Sequence, residues 1–229
     1  MIESLRVILE IGKKRRVVAA AMDWPGLDRW GTSEDAALDK MLSYVPRYVA
    51  VAERAGLGTA FAGARDVEVV ERVPGSSSTD FWGIAHVPSR IEQEVLSTVD
   101  LERRLELLQA CWAYFDDVAA RVTHELRPGP RSAGRSREQI IRHVYYNEPE
   151  QFSRKVGVRT PLEVVLTPEG LATHRQTYLD AIRVYNAEGK PARTWPIQFL
   201  VRRTAHHTMD HAWEMEDRDP GREDRNPVA

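Results

Sequence analysis

The chain has 229 residues, 42% of them hydrophobic, and a formal net charge of −2. That length permits one large domain or two small ones, and the near-neutral balance excludes a chain-wide basic field aimed at nucleic acid or an anionic membrane. The single cysteine, Cys111, excludes an intramolecular disulfide and fits a reducing compartment; with no apolar run near the roughly 18 residues of a membrane span and no charged-then-apolar leader, a cytoplasmic protein is expected.

The first part, residues 1–87, reads as a small α/β unit. Leu5 to Ile11 is aliphatic and β-branched, Gly12-Lys13-Lys14-Arg15 is a turn, and Arg16 to Met22 is a second apolar run, which together predict a hairpin. Lys13, Lys14, Arg15 and Arg16 are most simply its tip. Trp24-Pro25-Gly26 ends the second strand. Thr32 or Ser33 can cap a helix with Glu34 and Asp35 in its first turn, where the helix dipole favours acids. The helix is expected to run from there to Gly56, kinked at Pro46. Asp66 to Val73 reads as a further strand, and Pro74-Gly75-Ser76-Ser77-Ser78 as a flexible turn or linker. The order is β-β-α-β.

Residues 88–217 read as helical. Leu101, Leu105, Leu108, Trp112, Phe115, Ala119, Val122 and Leu126 keep the strongest periodicity in the chain, with Asp100 as expected cap and Arg127-Pro128-Gly129-Pro130 as the stop. A second helix starts near Ser136 and carries Ile140, Ile141, His143 and Val144, with Pro149 interrupting it. Thr167-Pro168-Glu169 opens a third, which carries Leu171, Tyr178, Leu179, Ile182 and Tyr185 and ends near Gly189. A fourth follows Trp195-Pro196 and ends around Asp217. Four amphipathic helices in a row predict an antiparallel four-helix bundle, so the fold class is α+β. Residues 218–229, rich in Pro, Gly and charge, are expected to be a disordered tail.

On the fourth helix, Ile197, Leu200, Thr204, His207 and His211 follow the three-four spacing of a core-facing stripe. Two imidazoles therefore stand where apolar residues belong, one turn apart, at the spacing by which a pair reaches one metal ion. A catalytic site of this kind takes three protein ligands and keeps one position open. His143 is the candidate third ligand, because Ile140, His143 and Asn147 share a face of the second helix. Imidazole ligation suits zinc first, with nickel, iron or copper also allowed. Asp210 and Glu214, each three residues after a ligand, are candidate supporting acids. His206 is one residue off the stripe and reads as a surface or supporting residue. His174 reads as packing or surface, His86 and His124 have no partner by spacing, and Cys111 reads as a buried small apolar residue.

With its inward His143 in Ile140-Ile141-Arg142-His143 and its His207-Thr208-Met209-Asp210-His211 run, the segment from about 90 to 217 resembles the DinB/YfiT-like four-helix bundles. Ala212-Trp213-Glu214-Met215-Glu216-Asp217-Arg218 is similar to an actinobacterial subgroup of them. The resemblance implies a divalent metal on the three histidines. It also implies transfer of a low-molecular-weight thiol of the mycothiol or bacillithiol type, or a thiol-dependent isomerisation. Such thiols carry carboxylates or sugar hydroxyls, so Arg203, one turn before His207, and Arg142, beside His143, become candidate substrate or cosubstrate contacts. Arg131, Arg135 and Arg137 could also reach, though a solvated basic connector is the simpler reading of that loop. Pro149 departs from the family pattern. In the first part, Val17 to Leu27 and Gly31-Thr32-Ser33-Glu34-Asp35-Ala36 resemble the strand, Pro-Gly loop and helix start of HicB-like domains, which implies protein binding or oligomerisation there.

Three functions follow as expectations: a metal-dependent thiol transferase or isomerase, a metal-dependent hydrolase using the same three histidines, and a non-catalytic binding or regulatory protein. The partner expected is a small-molecule substrate, with no nucleic acid and no membrane, and with a homodimer allowed.

Overall fold

A computed structural model describes residues 4–62, 66–129 and 134–221. The aliphatic run at the start forms β1 (Ser4–Ile11) and returns as β2 (Val17–Ala21) through the basic turn. Gly12 sits in that turn, with Lys13 and Lys14 donating their backbone N–H groups to Asp80 at 2.9 and 3.0 Å. A strand that the sequence did not suggest, β3 (Asp28–Gly31), then pairs antiparallel with β2. The helix α1 (Glu34–Arg54) follows, capped by Ser33, which accepts the Ala36 N–H at 3.1 Å. It passes through Pro46 as one element; Pro46 is exposed, so water can take the carbonyl that proline leaves unbonded. A short turn α2 (Gly58–Phe61) and the strand β4 (Asp66–Pro74) complete the unit, with β4 parallel to β1. The sheet order is β3-β2-β1-β4, so the observed sequence is β-β-β-α-β.

Ser76-Ser77-Ser78 is not a linker. Ser76 caps a short helix α3 (Ser77–Trp82), accepting from Ser78 N–H while Thr79 bonds back to the Ser76 N–H. Thr79 also donates to Glu10 of β1, whose second oxygen takes the N–H groups of His86 and Val87 at 2.7 and 2.8 Å. A buried carboxylate thus ties the sheet to the segment that leads into the helices.

The helical part contains α4 (Thr98–Arg121), α5 (Arg137–Asn147), a short α6 (Leu162–Val165), α7 (Pro168–Ala187) and α8 (Ile197–Arg218). Ser97, rather than Asp100, caps α4: its hydroxyl accepts the Asp100 N–H at 3.1 Å and donates to the Asp100 carboxylate at 2.6 Å. The helix ends at Arg121, before Leu126. Thr167 caps α7 as the sequence predicts, and Ser136, near which the second helix is expected to start, caps α5. Helix α8 packs against α4, α5 and α7, and α4 also meets α7. The fold class is therefore α+β: a mixed four-stranded sheet in the N-terminal part, then helices.

One hydrophobic core runs through both parts. Leu5, Val7 and Leu9 of β1 share it with Met41 and Tyr48 of α1, Leu108 and Phe115 of α4, and Met209 and Trp213 of α8. The Trp24-Pro25-Gly26 turn is pressed into this seam. Gly26 has φ of 100°, and a Cβ there would lie 2.9 Å from Met209 Cγ and 3.2 Å from the buried Cys111 sulfur, so only glycine fits. Tyr48 fixes the turn by donating to Pro25 O at 2.7 Å.

The expected tail starts too early. Arg218 is the last residue of α8, and its guanidinium holds Arg127 O at 2.8 Å, Arg135 O at 2.7 Å and Glu214 at 2.8 Å. Asp219 is buried and accepts from the backbone and hydroxyl of Thr123. Residues 222–229 lie outside the described residues. Among the described residues, no helix is long and apolar enough to cross a membrane.

Candidate metal centre

Helix α8 is wrapped on nearly every side, so its two polar faces have different fates. Leu200, Thr204, His207, His211, Glu214 and Arg218 follow one face by the three-four rule. That face meets α5, whose His143 is one turn before the helix gives way at Glu148. His143, His207 and His211 come together, with one ligand atom of each within 4.8 Å of the others. Their ring centroids are 4.8 to 5.1 Å apart. His143 Nε2 and His207 Nε2 are 3.2 Å apart.

Two nitrogens bonded to one tetrahedral ion at 2.0–2.1 Å stand about 3.3 Å apart, so this separation suits a shared metal. With no ion, one of the two nitrogens must direct a proton at the other. Three imidazoles, and no carboxylate among the three, are a donor set for a borderline divalent ion such as zinc, nickel or iron rather than for magnesium or calcium. The residues fit the group.

Each ring is held from behind. Glu214 Oε2 lies 2.8 Å from His211 Nδ1, which places the ring proton on Nδ1 and leaves Nε2 as a donor pair. Burial alone would raise the Glu214 carboxyl, but His211 and Arg218 outweigh it and hold it below its ordinary value. Arg218 carries the line onward to the loop before α5. The Asn147 amide donates to His143 O at 2.7 Å and lies 3.1 Å from its Nδ1. Phe152 packs on His207 at 5.5 Å between centroids. Pro149 gains a meaning here: Glu148–Phe152 forms a single π turn directly after α5, and this turn delivers Phe152 to the metal face.

Burial, then the neighbouring His211 and Arg135 charges, lowers His143 to about 4; burial, His211 and His143 push His207 down as well. Both rings are thus neutral at pH 7, the form a metal needs.

Two of the predicted contacts go elsewhere. Asp210 is half exposed and bonds Arg29 of β3 at 3.0 Å, because the helix turn that aims His207 and His211 at α5 aims Asp210 at the sheet. Arg203 is buried on the same side, 2.6 Å from His206 Nδ1, and does not reach the opening. His206 is buried rather than at the surface and stands apart from the three ligands. His174 is buried against Thr160, as packing predicts, and Cys111 is buried, which pushes its thiol far up. Arg142 is exposed and lines an open cavity of about 450 Å³ beside His143, together with Arg135, Gln139, Tyr146 and Leu162. Arg137 instead bonds Ala119 O and Glu138, and Arg131 lies outside the described residues.

Sequence reasoning missed Asn147, Phe152 and Arg218. Asn147 shared the His143 face, and Arg218 sits four residues after Glu214, so both had a spacing signal; Phe152 had none, because a π turn breaks the period. Compared with protein-family models, with curated proteins and with solved structures, the chain matches none of them.

Proposed function

We propose that this chain is a metal-dependent DinB-like enzyme in which His143, His207 and His211 hold one divalent ion, zinc first among nickel and iron, and leave one position for a ligand. In this reading α4, α5, α7 and α8 are the DinB-like four-helix bundle. The observation that carries the proposal is the convergence of three imidazoles from two helices, with Glu214 already seated on His211 Nδ1. The reaction proposed is transfer of a low-molecular-weight thiol to a small electrophile, or a thiol-dependent isomerisation, in the cytoplasm.

A divalent ion in the site would keep a thiol in its thiolate form at neutral pH. The chain's own residues supply the rest. Glu214 orients His211 by accepting the hydrogen bond from its Nδ1–H, and Arg218 holds Glu214 in place. Asn147 fixes the His143 ring. Phe152 keeps water from the outer face of His207. The cavity beside His143 gives a small molecule access to the ligand cluster.

Metal analysis and zinc titration of the purified protein, with His143→Ala, His207→Ala and His211→Ala alongside, test the proposal. Near one ion per chain, lost in each variant without unfolding, is the expected result. Turnover of an electrophile only when a thiol is present supports transfer, and turnover with water alone points to a hydrolase. A protein that takes up no metal, and whose melting temperature ignores both chelator and zinc, is a binding protein and the proposal falls.

A further inference from the structure

Among the described residues, Arg135 lies just before α5 and Arg137 and Arg142 lie on it, and of these Arg137 is the one with a carboxylate partner. Arg137 spends its guanidinium on Ala119 O and Glu138. Arg135 and Arg142 have no carboxylate partner among the described residues, yet both line the cavity against His143. Among the described residues no acidic side chain lines that cavity, and Gln139, Tyr146 and Leu162 also line it. The Arg135 backbone is pinned, because its carbonyl accepts from Arg218 at 2.7 Å, and Arg218 also holds the Glu214 that seats His211. The two cations are therefore carried on a rigid helix and on a loop residue fixed to the ligand cluster, rather than on a free connector.

We infer that the cavity beside His143 is an anion seat in which Arg135 and Arg142 bind the carboxylate of a small organic acid while its other end extends toward the three histidines. The volume of about 450 Å³ falls within the range of small-ligand sites. Guanidinium groups suit a carboxylate because their planar fork meets both oxygens. Tyr146 and Leu162 offer apolar surface to the carbon chain behind it. The direction toward the histidines rests on the metal centre proposed above; the anion seat itself does not, since both arginines line the cavity with or without an ion.

The probe is glutarate, a short dicarboxylate, with its uncharged diamide as control, at constant ionic strength. Binding is read by the side-chain Nε–H resonances of Arg135 and Arg142 and by calorimetry, in metal-free and zinc-loaded protein. Glutarate is expected to move both resonances and to bind at least about tenfold more tightly than the diamide, which corresponds to about 1.4 kcal/mol. The double variant Arg135→Gln/Arg142→Gln should bring the two probes to equal affinity while still folding and taking up zinc. His143→Ala should lose zinc and keep the glutarate preference, which separates failure of the metal proposal from failure of the seat. Equal binding of acid and diamide by the unaltered protein, or a preference that survives the double variant, overturns the inference.

Discussion

Helix α8 carries two polar clusters that solve the problem of burial in opposite ways. On the side facing the sheet, Arg202 is almost fully buried, and its charge is met on all sides. Its Nε and Nη2 go to Glu92 at 2.7 and 3.1 Å, and its Nη1 goes to Asp28 at 3.0 Å. Ser89 completes Glu92 with its own N–H and hydroxyl. On the side facing α5, His207 and His211 meet His143 through ring nitrogens, with no acid among the three. The chain itself meets the Arg202 cation, whereas the proposed metal centre would be completed by an ion brought from outside. The Arg202 cluster holds the β3 end of the sheet to the helices, although Asp28 Oδ1 is left without a hydrogen bond among the described residues; a cluster of imidazoles beside a cavity suits a ligand.

The sharpest way to break this contrast is Arg202→Met. It leaves the Asp28 and Glu92 carboxylates buried without their cation, which should cost about 3–5 kcal/mol. Urea unfolding would read that loss. Zinc uptake per folded molecule should stay unchanged, because no ligand touches Arg202. His207→Ala is the mirror experiment. It should abolish the stabilisation that zinc confers and shift the metal-free protein far less than Arg202→Met does. If the two variants exchanged these effects, the division of labour along α8 would be wrong.

How these clusters could be read in the sequence follows from what covers each face. The histidines were legible because they replace apolar residues in a regular stripe, and the same rule found His143 on another helix. Arg202 and Arg203 were not legible as buried. They lie off the stripe, where solvent is the natural expectation, and only the packing of β3 and the 89–92 segment against α8 removes water from them. β3 itself escaped notice because Asp28-Arg29-Trp30-Gly31 is too short to show alternation; its pairing with β2 makes it a strand. Asp210 was misplaced for the same reason as Arg203. Spacing along a helix tells which residues share a face, but not which neighbour that face will meet. The caps at Ser33 and Thr167 and the helix start near Ser136 were legible because they are local chemistry.

Acid should expose a third burial solution. His174 is buried with only Thr160 on its Nδ1, and burial and the adjacent Arg175 lower it to about 4. The unfolded chain, with an ordinary histidine near 6.5, binds this proton more readily than the folded one. Its contribution is therefore fully present above about pH 6.5 and is lost as the pH falls toward 4, by about 3 kcal/mol in all. Buried carboxyls at Glu10, Asp28 and Glu148 are raised by burial and act in the opposite sense. The quantity to measure is thus the difference between the protein and His174→Gln across that range. A difference that does not change between pH 7 and pH 4 would mean that the folded ring titrates normally.

Glu214→Gln tests how far the metal face depends on its support. The amide oxygen can still accept from His211 Nδ1, but the charge is gone, and zinc affinity should fall about 10- to 100-fold. Competition against a chelator of known affinity measures it. Loss of all binding would make Glu214 a ligand rather than a support, and no loss would show that Arg218 and Glu214 merely close the helix end.

The smallest expected effect links a cap to the centre. Ser136 accepts the Gln139 N–H at 3.3 Å, and Gln139 returns a bond to the Ser136 N–H at 2.9 Å. Ser136→Ala should cost about 1 kcal/mol, the usual worth of such a cap. Helix α5 has only 11 residues and ends in a π turn, so the cost should appear first as fraying of α5. Its amides should then exchange about fivefold faster than in the unaltered protein, while those of α4 stay as they were. In the proposed centre a zinc ion would bridge α5 to α8 through His143, so its addition should restore the protection. Faster exchange that zinc leaves untouched would mean that His143 is not bonded to the ion. That single result would reduce the three-histidine centre to the pair on α8.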